Sequence, residues 1–210
     1  MYRLYGKPFT MSMVPEGTLD EIGVPFETVT LPDGRSTDPA YLELRPDGLV
    51  PTFVDGDLVV YEGSAIAMHL ADRHKEAGLA PLPGSRERAW WYQWMVWLGS
   101  VVHPTVANEY HADWYTTAPD GIDGVRQAAR RNADDLWRQI DASVAGQTWL
   151  VGERFSTADI LLLVQACMHW DCHAMIARER HVGAIVRRIR ARPAMAELLE
   201  RHGVEPFAPT

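Results

Sequence analysis

Two stretches of this sequence place hydroxyls and free backbone amides where an anion could be held. The first is the loop Gly6-Lys7-Pro8-Phe9-Thr10-Met11-Ser12, which runs into a predicted helix. The first turn of a helix has N–H groups without intrahelical acceptors, and its dipole is positive there, so the amide and hydroxyl of Ser12 would both point at an anion. That favours Ser12 narrowly over Thr10, although Ser12 also fits as a plain N-cap. The second stretch is Glu62-Gly63-Ser64, again at a helix start. The amides of Gly63 and Ser64 suit a carboxylate and Glu62 suits an ammonium group, but the same residues also make an ordinary helix start with a favourable acidic charge. A metal centre is not expected. His169 and His173 are four apart and share a helix face, but Asp171 points elsewhere and no Glu follows the first histidine as it does in zinc proteases.

The two cysteines, Cys167 and Cys172, lie five apart in an apolar stretch, which is neither a CxxC redox pair nor a disulfide framework. The 210 residues are 47% hydrophobic and 23% charged, enough for a sizeable core in one large or two small domains. A net charge of -8 argues against nucleic-acid binding, which needs concentrated positive charge. The basic run Arg187, Arg188, Arg190 and Arg192 reads as a solvated helix face. No apolar run approaches membrane-spanning length and the amino terminus lacks the apolar core of a signal peptide, so no membrane partner and a cytoplasmic location are expected.

The elements that must position these residues change character along the chain. Tyr2 to Tyr5 and Phe26 to Leu31 read as short strands, with a helix from about Ser12 to Ile22 closed by Gly23 between them. Thr52-Phe53-Val54 and Leu58-Val59-Val60-Tyr61 flank Asp55-Gly56-Asp57, a hairpin signal because Asp-Gly supplies the positive φ of a tight turn. Helical periodicity resumes from Ser64 to His74. After the Pro- and Gly-rich loop of residues 78–84, long helical patterns replace strands. Trp90, Trp94, Trp97 and Val101 recur at helical spacing, as do Val125, Ala129, Leu136, Ile140 and Val144, and Pro104 should kink or interrupt its helix. Ser156-Thr157-Ala158-Asp159 reads as a capping box before the apolar, buried run Ile160 to Val164. The reading is therefore a mixed α/β domain over residues 1–75, a linker over 76–86 and an all-helical domain over 87–210.

In order and spacing, four segments resemble the glutathione transferase superfamily across nearly the whole chain. Arg45-Pro46-Asp47-Gly48-Leu49-Val50-Pro51 looks like the family's N-P-x-G-x-V-P, whose proline is typically cis. Tyr61-Glu62-Gly63-Ser64-Ala65-Ile66 is similar to its E-[SG]-x-A-I, Phe155 to Asp159 to its capped buried helix, and Arg192-Pro193 to a late motif. The resemblance implies a thioredoxin-like glutathione-binding domain followed by an all-α domain that lines the electrophile site. Glutathione would be a cosubstrate, its cysteinyl backbone pairing antiparallel with Val50 before Pro51, its γ-glutamyl carboxylate on the amides of Gly63 and Ser64, and its amino group on Glu62. A homodimer is implied as well.

Lowering a thiol pKa of ~8.5 by about two units requires roughly 2.7 kcal/mol. One charge-assisted hydrogen bond supplies ~1.5–3 kcal/mol, so a single donor at the sulfur suffices. The loop of residues 6–12 is most similar to the beta-class bacterial pattern, but Met11 stands where that class has its cysteine. A thioether neither donates a hydrogen bond nor forms a mixed disulfide, which leaves Ser12 or Thr10 as the activating hydroxyl. His103 matches a position where beta-class relatives place a histidine over the sulfur, whereas Val96 and Pro104 replace the polar neighbours of that site. Tyr110, His111, Trp114 and Tyr115 are expected to line a pocket for a planar hydrophobic electrophile. The activity implied is conjugation by a glutathione thiolate. Glutathione-dependent isomerisation, dehalogenation or ether cleavage, or a non-catalytic binding module of the same fold, are the alternatives.

Overall fold

The structure is a computed structural model that describes residues 1–205. Its first part is a four-stranded sheet of order β2-β1-β3-β4, with β1 Tyr2–Gly6, β2 Phe26–Thr30, β3 Thr52–Asp55 and β4 Leu58–Tyr61. β1 pairs parallel with β2 through the crossover helix α1 (Met13–Ile22), and antiparallel with β3. Gly56, at φ +63, turns β3 into β4. The helix after β1 ends on Gly23 in the left-handed conformation, whose amide returns to Leu19 and Asp20 carbonyls.

Two helices were differently legible. α2 (Pro39–Leu44) has no counterpart among the elements read from sequence; it begins on Asp38, whose side chain accepts from the Ala40 amide, and places proline in its first turn. α3 (Gly63–Arg73) follows β4 directly and packs Ile66, Ala67, Leu70 and Ala71 inward. Leu4, Leu19, Phe53, Ile66 and Leu70 form a core between the sheet and these helices.

Helices account for the rest: α4 Arg86–Trp97, α5 His103–Tyr110, α6 Ile122–Ser143, α7 Thr157–Cys167, α8 Cys172–Arg178, α9 Arg180–Arg190 and α10 Pro193–Arg201. α4 passes into α5 through a π-helical segment, Leu98–Val102. The α-helix is thus interrupted just before Pro104, where the wider π turn accommodates the ring and the missing N–H. The tryptophan stripe lies only partly in the core: Trp94 is buried together with Trp91, Met95, Leu98 and Val102, Trp97 is half-buried, and Trp90 and Val101 are exposed. α7 is buried along its whole length. The Asp159 carboxylate at its start accepts from the Leu150 amide (2.8 Å) and the Ser156 amide (2.9 Å). The two parts of the chain share one core, in which Met13, Val14, Ala67 and Ala71 meet the helices beyond residue 85. Arg88 clamps them polarly, donating both to Asp72 of α3 (2.7 Å) and to the Pro81 carbonyl (3.0 Å).

Candidate active site

Three backbone segments converge at one end of the sheet. The β1–β3 pairing ends at Tyr5–Thr52, two residues short of Val50, so Val50 extends past the ladder with its peptide groups available to another extended chain. The Val50–Pro51 peptide is cis. Arg45 braces this corner from below. Its guanidinium is nearly inaccessible and donates to the Pro51 carbonyl (2.8 Å) and to Asp47 (2.7 Å), and it lies 3.4 Å from the Glu62 carboxylate. The Arg45 hydrogen bond holds the Asp47 carboxyl below its ordinary range.

Glu62 takes φ +67 to turn the chain from β4 into α3, and its side chain remains largely in solvent. The first-turn amides at Gly63 and Ser64 follow immediately. Gly63 must be glycine for a packing reason: a Cβ there would come 2.9 Å from the Met11 carbonyl oxygen. On the other side, a Cβ at Gly99 in the π segment would come 2.8 Å from Ser64 Oγ. The start of α3 is thus wedged between the loop after β1 and the helical part.

In that loop the hydroxyls are engaged. Ser12 is 1% exposed, beneath Gly6, whose missing side chain would otherwise strike it at 2.7 Å. The Lys7 amide donates to Ser12 Oγ (3.3 Å) and the Ser12 amide to Thr10 Oγ1 (3.3 Å). Thr10 Oγ1 donates to the Lys7 carbonyl (2.9 Å), so the 2.8 Å contact between the two hydroxyls takes its proton from Ser12. The Ser12 amide and hydroxyl, expected to aim at an anion, both hydrogen-bond within the loop and brace it. Thr10, half-buried, is the outer of the pair, with its proton on a backbone carbonyl.

Met11 faces the cleft between Gly63 and α7. Its Sδ accepts from Nε2 of Gln165 at 3.3 Å. Gln165 is fully buried, and its Oε1 and the Nδ1 of His103 have no hydrogen-bond partner within the protein. Burial lowers the His103 pKa, against upward pulls from the Gln165 side chain and Glu62, so the ring is a neutral imidazole at pH 7. Gln165 was missed in the sequence, where the usable signal is one amide in the apolar run from Ile160 to Cys167.

The predicted pocket residues divide. His111 and Trp114 stack at 4.2 Å, and the Arg35 guanidinium lies 5.1 Å from the Trp114 ring centre, so these three form an exposed wall across from the Asp47 loop, to which Arg35 also donates (3.0 Å). Arg35 gave no sequence signal. Tyr110 is half exposed at the end of α5, and burial of the rest of its ring, Glu109 and Cys172 raise its pKa. Cys167 is buried and pushed up to about 12, an inert thiol. His169 turns into the core against Trp137, with Nδ1 accepting from the Asp171 amide (3.1 Å). Among the described residues no group of three or more potential ligands could hold a metal ion, and no helix is long and apolar enough to cross a membrane.

Comparison with known proteins bears on the same segments. Residues 4–78 match the family model of the glutathione S-transferase N-terminal domain, and residues 109–175 that of the C-terminal domain. The chain is 35% identical to glutathione S-transferase F10 of Arabidopsis thaliana over 211 aligned positions, covering 96% of this chain and 97% of the relative. Among solved structures, a glutathione S-transferase from Xylella fastidiosa superposes with a TM-score of 0.87 at 26% identity, covering 98% of this chain and all of that one. A sphingomonad glutathione S-transferase complexed with glutathione superposes at 0.82 with 28% identity, covering 97% and 100%.

Proposed function

The chain belongs to the glutathione S-transferase family, and from that premise we propose that it binds glutathione where Val50, Glu62–Ser64 and the Thr10–Met11 loop converge, and conjugates its thiolate to a hydrophobic electrophile. The observation that carries this reading is the close approach of Met11 to Gly63, which sets a carboxylate-binding helix start beside the loop that would face the sulfur. The peptide backbone of glutathione would pair with Val50 and its amino group would meet Glu62.

Sulfur activation in this arrangement falls to His103 and to the α1 end of the loop. A neutral imidazole N–H donating to sulfur supplies part of the roughly 2.7 kcal/mol that a two-unit pKa drop requires. Thr10 and Ser12 act as braces of the loop, with Thr10 the hydroxyl nearer the cleft. His111 and Trp114 offer the electrophile an aromatic wall; Tyr110 lies on its outer margin. Cellular location would be cytoplasmic. Exposed Trp90, Tyr92 and Val96 on one side of α4 supply an apolar surface for a homodimer, which would run in solution at twice the 23.6 kDa chain mass.

The test is retention on immobilised glutathione together with turnover against several classes of electrophile. Binding with conjugation supports the proposal. Binding without conjugation of any class favours a non-catalytic module, a reading that Met11 and the engaged Thr10 and Ser12 protons support.

A further inference from the structure

The loop that would face the sulfur is tied to the far end of the chain. Phe9 adopts a left-handed backbone at φ +52, a region that a bulky residue occupies only when its surroundings impose it. Its amide donates to Nδ1 of His202 at 3.1 Å, across 193 residues of sequence. His202 is the residue that caps α10, and its Nε2 lies 3.0 Å from Oε2 of Glu16 on α1. A backbone amide only donates and a carboxylate only accepts. One state of the ring satisfies both partners: neutral, with the proton on Nε2 and the lone pair of Nδ1 turned to Phe9.

The partners of His202 are themselves fixed. Arg201 donates to Glu16 from Nε at 3.1 Å and also pairs with Asp20. Burial pushes the Glu16 pKa up, but the hydrogen bonds from His202 and Arg201 and the Arg201 charge outweigh it and hold the group below its ordinary value, so it stays an acceptor at neutral pH. Beside the loop lies an open pocket of about 410 Å³, bordered by Lys7, Pro8, Glu16, Arg201 and His202.

We propose that His202 is a positioning residue: its neutral ring, oriented by Glu16, holds the Phe9 amide through Nδ1 and so fixes Thr10 and Met11 against the start of α3. The catalytic consequence rests on the proposed function, whereas the backbone consequence does not.

His202→Asn and His202→Gln separate the two halves of the contact. An asparagine oxygen can replace Nδ1 as acceptor at any pH, whereas glutamine reaches toward Glu16 and leaves Phe9 without a partner. Amide exchange at Phe9, corrected for intrinsic rate, is expected to rise about tenfold in His202→Gln and to stay within about threefold of wild type in His202→Asn. Turnover by His202→Gln should fall about five- to tenfold with the KM for glutathione within about twofold, and His202→Asn should keep turnover near the wild-type value. Equal Phe9 exchange in all three proteins, or equal impairment of both variants, overturns the assignment. Absence of glutathione binding in wild type would instead refute the proposed function, and the exchange comparison would still decide the role of His202.

Discussion

His103 and Gln165 are two buried polar side chains that act on each other but make no well-formed hydrogen bond at Nδ1 and Oε1, beside a thioether that itself accepts from Gln165. Leaving such atoms unpaired costs about 1–3 kcal/mol each, a cost that a site retains when a ligand supplies the missing bond. His103→Ala is therefore expected to lower turnover about tenfold or more while leaving the thermal midpoint unchanged or raised, measured by steady-state kinetics and thermal unfolding. Unchanged turnover would remove His103 from the chemistry. At this scale the sequence was only partly legible. The resemblance indicated His103, Glu62 and Gly63, because motif spacing carries backbone roles. It could not reveal that the Ser12 hydroxyl turns beneath Gly6, since a serine at a helix start reads the same whether it faces in or out. Gln165 and Arg35 act through tertiary neighbours 154 residues and one domain away, which no local pattern encodes.

Among the elements, α7 was the most legible, because its capping box is a local hydrogen-bond pattern written in four consecutive residues. Its energetics depend on burial, which sequence does not give. Asp159 is pushed from its ordinary 3.8 up to about 6, burial outweighing the amides of Leu150 and Ser156. The folded protein therefore binds a proton between about pH 4 and 6 that the unfolded chain does not, so the contribution of Asp159 to stability declines as pH rises through that window. Asp159→Asn cannot accept both amides and is expected to cost about 1–3 kcal/mol at pH 7 by denaturant unfolding. The gap between wild type and variant should widen from pH 6 to pH 4; a gap that narrows would refute the assigned direction. α2 and the π segment escaped the sequence reading for different reasons. α2 is only six residues long, too short for periodicity, and the π turn at Leu98–Val102 has no residue pattern of its own, only Pro104 just after it.

As a whole molecule, the chain is an α/β sheet domain and a helical array welded through one core, with Arg88 as the main polar clamp between α4 and α3. Asp72 is half exposed, so the pair is worth less than a fully buried one, and Arg88→Ala should cost about 2 kcal/mol through the lost Pro81 and Trp91 contacts as well. Arg88→Lys should recover less than half of that, because lysine lacks the forked donor, and unfolding should stay a single transition by circular dichroism. A separate transition for each part would contradict the shared core. The proposed glutathione position is where the start of α3 meets the loop after β1. Calorimetric titration of glutathione into wild type and Gly63→Ala tests it most directly, because the added Cβ would meet the Met11 carbonyl at 2.9 Å and push those two segments apart. Saturable binding at one site per chain, weakened at least about tenfold in a folded Gly63→Ala, is the expected result. No binding by wild type, or equal affinity in the two proteins, would contradict it.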